Sequence, residues 1–322
     1  MPSPNSTFTE LVTTTLREHP AEIADNISGN NALYRYLKTK NKIKTVDGGL
    51  TIVRPLDYAE NATFQRFSGY DQLNIQASDV LTAAEYSWVQ SCVNVTASGD
   101  ELRKNSGGNQ IVDLAKARIK NALRTAANNM SVDIYSSGSL SNQMGGLGSI
   151  ISTAGTGTVG GIDSGTYTFW QNKYREISGT NAWSKTTLKG DMNALWMTLN
   201  RGTDKPDLLV SSHDFYAAYW EGLQDLQRFA SADTTATAGF TALKYNTADI
   251  IFDSNSNFGT TAEKMYFLNT DYLELVQHRD AQWSQMDEKM SVNQDAVVIP
   301  LIWMGQLVTS WRAGQGILID AA

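Results

Sequence analysis

From Gln110 to Tyr135 the apolar residues Ile111, Leu114, Ala115, Ile119, Ala122, Leu123, Ala126, Met130 and Ile134 recur at three- and four-residue intervals. Lys116, Lys120, Arg124 and Asn128 mark the other face. That period predicts an amphipathic helix. At a rise of about 1.5 Å per residue it would be roughly 39 Å long, enough to act as the backbone of an elongated subunit.

The residues after it read differently. Gly138, Gly145, Gly146, Gly148, Gly155, Gly157, Gly160, Gly161 and Gly165 cluster with Ser and Thr between them, the signature of a long loop or short-strand region. Helical spacing returns in Leu188 to Asn200 (Met192, Leu195, Trp196, Leu199) and in His213 to Phe229 (Phe215, Tyr216, Tyr219, Trp220, Leu223, Leu226). Between them Pro206 to Val210 reads as a buried strand. After Gly239 the chain is strand-rich: Ile250–Phe252, Met265–Leu268, Tyr272–Val276 and Val297–Trp303. A strand between two helices gives an α+β or α/β subdomain, and the chain shows no internal repeat and no flexible interdomain linker.

Ahead of the helix lie two less regular segments. The first 45 residues hold Pro2, Pro4 and Pro20, then Arg35, Lys38, Lys40, Lys42 and Lys44 on near-alternate positions, which reads as an extended basic arm or as a solvated strand face. Between Gly48 and Asp79, Leu50–Val53 and Thr63–Phe67 favour strands and are separated by Pro55 and the polar stretch Ala59–Ala62. This is either a meander folded onto the core or a long exposed hairpin. Arms of some 13 residues would reach roughly 40 Å, farther than their own domain covers, so the exposed form implies a partner surface.

Composition removes several functional classes. A net charge of -7 gives the whole chain no electrostatic reason to seek nucleic acid or an anionic membrane. Cys92 is the single cysteine, which excludes an intrachain disulfide and suits a reducing cytoplasm. No apolar stretch approaches the roughly 20 residues needed to cross a bilayer, and the polar start Met1 to Glu10 has no secretory character, so a soluble protein is expected. His19, His213 and His278 are too far apart for a metal motif, and no metal or cofactor is expected. Gly155 to Gly160 matches the dinucleotide pattern GxGxxG, but Gly161, Asp163, Ser164 and Gly165 oppose the helix that pattern needs next. Ser211-Ser212-His213-Asp214 holds the residue types of a hydrolase triad, yet neighbours in sequence point apart, and a helix N-cap is the better reading. The eight tryptophans and 13 tyrosines lack interleaved basic residues and read as packing. No catalytic residue is assigned.

The order of parts, and four stretches within it, resemble the major capsid proteins of tailed bacteriophages, the HK-ninety-seven-like coat proteins. The stretches are Gly160-Gly161-Ile162-Asp163-Ser164 followed by Phe169-Trp170-Gln171-Asn172; Lys205 to Ser211 leading into Phe215-Tyr216; Gly239-Phe240 to Asp253; and Met265 to Asn269. The resemblance spans nearly the whole chain and rests on order and spacing. It implies an N-terminal arm (1–47), an extended loop (48–79), a peripheral domain built on the long helix (80–136 and 263–309) and an axial domain (137–262 and 310–322). It also implies a homo-oligomeric shell of pentamers and hexamers around double-stranded DNA, contacted non-specifically. Separate scaffolding, portal and decoration proteins would be partners, and the virion capsid the location. Inter-subunit contacts are expected at Arg54, Tyr58, Glu60, Phe64, Arg66 and Phe67 of the loop and at Arg35, Lys38 and Lys40 of the arm.

Two departures refine that picture. Some relatives join subunits by a lysine–asparagine isopeptide bond from the extended loop, but no lysine occurs between Lys44 and Lys104, so no such crosslink is expected. The arm is also too short for the N-terminal scaffolding domain of some relatives. A bacterial compartment enclosing cargo protein is the alternative with the same fold, and a nucleotide-binding enzyme using the Gly155 loop is the alternative of another class.

Overall fold

The computed structural model describes residues 32–104, 114–177, 187–224, 243–253, 258, 263–285, 289–290 and 295–320. Residues 1–31 of the expected arm, 110–113 of the expected helix and 225–229 of the later one lie outside these.

Two sheets organise the chain. In the five-stranded sheet β1 (Ile43–Val46) runs parallel to β12 (Leu273–Gln285), which pairs antiparallel with β14 (Ala296–Thr309). The short β13 (Lys289–Met290) lies on the same side of β14 as β12, and β4 (Val89–Ser98) runs along the other side from Ser98 opposite Ala296 to Val89 opposite Gly305. In the six-stranded sheet the order is β7 (Lys173–Ile177), β15 (Gly316–Asp320), β11 (Lys264–Leu268), β8 (Leu208–Ser211), β10 (Ala248–Phe252), β9 (Leu243–Tyr245). The strand Lys264–Leu268 is held on both sides within the six-stranded sheet, by β15 and by β8, and the chain crosses to the other sheet at Leu273.

Its central strands β8, β11 and β15 are buried on both faces, so they read as continuous apolar runs and successive residues feed different cores. Leu209, Met265, Phe267 and Leu318 pack beneath two helices, α5 (Thr187–Leu199) and α6 (His213–Gln224). On α5 the buried Leu188, Met192, Leu195, Trp196 and Leu199 fall on one stripe at helical spacing. Leu208, Val210, Tyr266, Leu268, Ile317 and Ile319 point the other way, into the main core.

The expected long helix is α3 (Leu114–Tyr135). Ala122, Ala126, Met130 and Ile134, four residues apart, form its buried row. The small alanines let it lie close on β4, where Val95, Ile299 and Leu301 complete a local core with Ala122. Its last turn enters the main core against a short helix, α4 (Leu147–Ile150). Gly146 is required there: a Cβ would stand 2.2 Å from the Ile134 carbonyl oxygen.

The basic segment departs from expectation. Ala32–Thr39 is a helix, α1, and not an extended arm. Leu33 and Leu37, four residues apart, are fully buried in the main core, where truncating either to Ala would cost about 2–5 kcal/mol. Alternating cations hid an i, i+4 apolar pair. Residues 43–46 then join the five-stranded sheet as its edge, so residues 32–46 belong to the body of the fold.

Candidate functional site

The extended loop grows from a two-stranded ribbon, β2 (Ile52–Asp57) paired antiparallel with β3 (Leu81–Tyr86). Ile52, Leu56, Ala84 and Tyr86 anchor its inner face in the main core. Tyr86 donates its hydroxyl proton to the Thr309 carbonyl oxygen at 2.9 Å. Pro55, which has no N–H, is tolerated because the ribbon has only one partner strand. The Tyr58 N–H donates to the Val80 carbonyl at 3.0 Å, and beyond that bond the ladder ends.

Residues 59–79 form a two-limbed finger held by side chains in place of a ladder. The Gln65 amide donates to the Gln72 carbonyl at 2.8 Å and accepts from the Asn74 N–H at 3.2 Å. Nearer the root, the Ala62 N–H donates to Ser78 Oγ at 3.3 Å. The tip is a turn from Ser68 to Asp71, whose carboxylate accepts from the Ser68 N–H at 2.8 Å, with Gly69 at φ 52°. Thr63–Phe67 is therefore no strand, and the reversal is at Ser68–Asp71 instead of Ala59–Ala62. The strand facing the first run is Leu81–Tyr86, whose two central alanines carry little strand signal.

Phe64, Phe67, Tyr70, Leu73 and Ile75 project from this finger into solvent, with Phe64 81% and Ile75 91% exposed. Single exposed apolar residues need no explanation, whereas five gathered on one finger make an exposed apolar cluster.

The other expected contact residues scatter. Arg54 is engaged within the chain, its Nη2 2.6 Å from Glu274 Oε2 on β12, and is therefore already paired. Tyr58 stands at the loop root with its ring 5.6 Å from that of Phe169. Glu60 and Arg66 are exposed on the limbs. Arg35 and Lys38 are exposed on α1, and Lys40 lies over the Tyr36 ring at 5.4 Å. Lys42, from the same basic run, pairs with Asp271 at 2.7 Å. These cations sit on the body, separate from the finger.

The glycine-rich segment answers the nucleotide reading. Arg312 is fully buried at its centre and donates to the carbonyl oxygens of Ile150 (2.6 Å), Gly157 (3.0 Å) and Thr156 (3.4 Å), and to Ser164 Oγ (2.9 Å). Its carbonyls thus turn inward to a cation, where a phosphate cradle would present N–H groups. The chain then enters a short hairpin with two residues per strand, β5 (Thr158–Val159) with β6 (Ile162–Asp163), and not a helix. Trp170 Nε1 donates to the Val159 carbonyl at 3.0 Å, Gln171 Nε2 to that of Ser164 at 2.9 Å, and Asn172 exchanges hydrogen bonds with the Ser152 backbone. The motif residues Trp170, Gln171 and Asn172 are its struts.

Ser211 and Ser212 are likewise buried, Ser211 Oγ donating to the Ser212 carbonyl. Ser212 Oγ makes no hydrogen bond, so the side-chain cap expected of it is absent; the Ser212 carbonyl accepts from the Tyr216 N–H instead. His213 packs edge-on to Phe252 at 5.3 Å. Among the described residues no group of three His, Cys, Asp or Glu side chains could hold a metal, and no helix is long and apolar enough to cross a membrane.

Sequence reasoning missed a cleft of about 530 Å³ at the finger's root. Tyr58, Asp79, Leu81, Thr82, Ala83 and Glu85 form one wall, and Gly160, Gly161, Ile162, Tyr167 and Phe169 the other. The Glu85 N–H donates to the Gly160 carbonyl at 2.9 Å, which joins the walls. Gly160, at φ 59°, approaches so closely that a Cβ would lie 2.8 Å from that of Ala84. Its two walls come from segments some eighty residues apart, and no local motif spans them.

No family model and no curated relative matches the chain. Solved structures do. The capsid of cyanophage A-1(L) is similar over 94% of this chain and 96% of its own, with TM-score 0.66 and 13% identity. Microbacterium phage Oxtober96 gives TM-score 0.58 over 94% and 95%, at 13% identity. The holo-SrpI encapsulin complex of Synechococcus elongatus gives 0.58 over 93% and 92%, at 8% identity. The chain therefore has the α+β, HK-ninety-seven-like fold of tailed-phage capsid proteins, which the encapsulin shares.

Proposed function

We propose that the chain is the major capsid protein of a tailed phage, a structural protein and not an enzyme. Copies gather as pentamers and hexamers into an icosahedral head around double-stranded DNA. The observation that carries this reading is the finger of residues 59–79, which buries almost nothing within its own subunit and exposes five large apolar side chains. It becomes intelligible if it lies on a neighbouring copy. A subunit held at several such sites must release all of them to leave, so modest contacts sum to a durable shell. Exposed Arg35, Lys38 and Lys40 supply further contact points on the body.

Separate scaffolding, portal and decoration proteins complete this proposal, with the virion capsid as the location. DNA is touched non-specifically, since a chain of net charge -7 has no global attraction for it. The likeness to an encapsulin supports one second reading, a shell enclosing cargo protein. Electron microscopy of the expressed protein with its candidate scaffolding partner tests both. Closed shells with nuclease-protected DNA, from infected cells, support the capsid reading; shells holding protein cargo support the compartment. A chain that stays monomeric under all these conditions overturns both.

A further inference from the structure

Charge is unevenly placed in this acidic chain. Residues 32–46 and 114–132 hold nine of its 26 lysines and arginines and none of its 33 aspartates and glutamates. The first stretch is α1 with the edge strand β1, the second is most of α3, and α1 lies against α3. Folding thus joins two basic segments, far apart in sequence, into one face. Part of that charge is answered within the chain. Lys42 pairs with Asp271, Arg118 pairs with Glu101, and Lys40 sits over the Tyr36 ring. Burial, and then the nearby Asp207, Asp249 and Asp271, raise the Tyr36 hydroxyl, which puts those acids on the Tyr36 flank of α1. Lys38, two residues on, leaves the helix nearly opposite that flank. Lys38, Lys44 and Lys120 are exposed, and their ammonium groups have no partner among the described residues.

On α3, Lys116, Lys120 and Arg124 stand four residues apart, a row with a spacing of about 6 Å along the helix. Asn121 and Asn129 are exposed on the same helix. A protein partner would need apolar or aromatic anchors at the centre of its contact. Here α3 exposes no aromatic ring, and its exposed large apolar residues, Leu123 and Val132, are each less than half exposed. A nucleic-acid duplex carries one negative charge about every 1.7 Å of its axis and is held by cations and polar donors alone. We infer that the face formed by α1 and α3 is the surface that meets double-stranded DNA, through its phosphates. This rests on the shell reading above and makes that face the lining of the shell. Cations so widely spaced meet few of the phosphates, so each copy grips weakly. Many copies together hold the duplex while leaving it free to slide. The acids on the rest of the chain keep its other faces off the polymer.

The test uses the unassembled full chain and a labelled duplex of about 30 base pairs, with fluorescence anisotropy read from about 20 to 200 mM salt. Lys38→Gln, Lys116→Gln and Lys120→Gln together are expected to lower the slope of log affinity against log salt by about 2.7, roughly 0.9 for each lost phosphate contact. Binding at the low-salt end should weaken by about tenfold or more. A control with Lys173→Gln, Lys205→Gln and Lys244→Gln, exposed positions on or beside the six-stranded sheet, should leave the slope unchanged. Melting temperatures verify folding; if the triple variant melts early, Lys38→Gln with Lys120→Gln is read instead, with an expected fall of about 1.8. An unchanged slope, an equal fall in the control, or no binding by the unaltered chain at low salt overturns the inference. So does tighter binding of polyglutamate of equal charge than of the duplex, which would give the face to an acidic protein. Shell formation is read separately by electron microscopy. Shells with an unchanged slope keep the shell reading without this face, and a changed slope without shells defeats the shell reading and the lining role with it.

Discussion

Two stretches of this chain carry little regular structure, residues 59–79 and residues 151–172, yet they are held in opposite ways. The second wraps the fully buried Arg312, with its carbonyls turned inward and Trp170, Gln171 and Asn172 as struts. The first is braced by its own side chains and two local turns, and it exposes Phe64, Phe67, Tyr70, Leu73 and Ile75. Irregular backbone whose polar groups point in is a solution to packing. Irregular backbone whose apolar groups point out is left without a packing partner in its own chain, and the proposed function supplies that partner as a neighbouring copy.

Arg312→Ala should give the largest effect, because it strands several buried carbonyls at once. We expect a loss of about 3–5 kcal/mol, read as a lower urea midpoint of the unassembled subunit. Arg312→Lys should recover only part of it, since one ammonium cannot span acceptors set around a planar fork. Replacing Phe64, Phe67 and Tyr70 together by Ser should do the reverse. Subunit stability should move by no more than about 0.5 kcal/mol, while assembly yield falls by about a hundredfold. Should the triple variant unfold the subunit and Arg312→Ala leave it intact, the contrast between the two stretches is broken.

Tyr86 sharpens the contrast where the finger's ribbon enters the core. Burial pushes its hydroxyl from near 10 up to about 12. Because the folded value is raised, its stabilisation is complete below about pH 10 and is lost as pH climbs to about 12. Tyr86→Phe should therefore cost about 1–2 kcal/mol at neutral pH and make the alkaline loss shallower. Buried Tyr135 and Tyr266 are raised in the same sense and keep some of that loss in place. The smallest effect belongs to Arg118, which binds both carboxylate oxygens of Glu101 at 3.0 and 3.1 Å and ties the long helix to the short helix α2 (Gly99–Lys104). That pair is part exposed and screened by solvent, so Arg118→Ala should cost under about 1 kcal/mol and less in high salt.

What could be read from the residues divides along the same line. Periodic segments declared themselves: the row Ala122, Ala126, Met130 and Ile134, the stripe from Leu188 to Leu199, and the buried strand Leu208–Ser211 all follow from local spacing. Misreadings came where long-range partners decide. Thr63–Phe67 has strand composition but no backbone partner, and Gln65 braces it sideways instead. Leu33 and Leu37 were hidden among alternating cations. Arg312, in the short stretch between the last two strands, gives no local hint that it organises a loop some 150 residues earlier. The root cleft was illegible for the same reason, its walls meeting only after folding.

The measurement that tests the central claim most directly compares the unaltered chain with one in which residues 61–77 are replaced by a short glycine–serine bridge, by electron microscopy and light-scattering mass. We expect rings or closed shells of uniform subunit spacing from the first and a folded, monodisperse monomer from the second. Equal assembly by both, or a monomer in both, would contradict the claim that this finger joins copies into a shell.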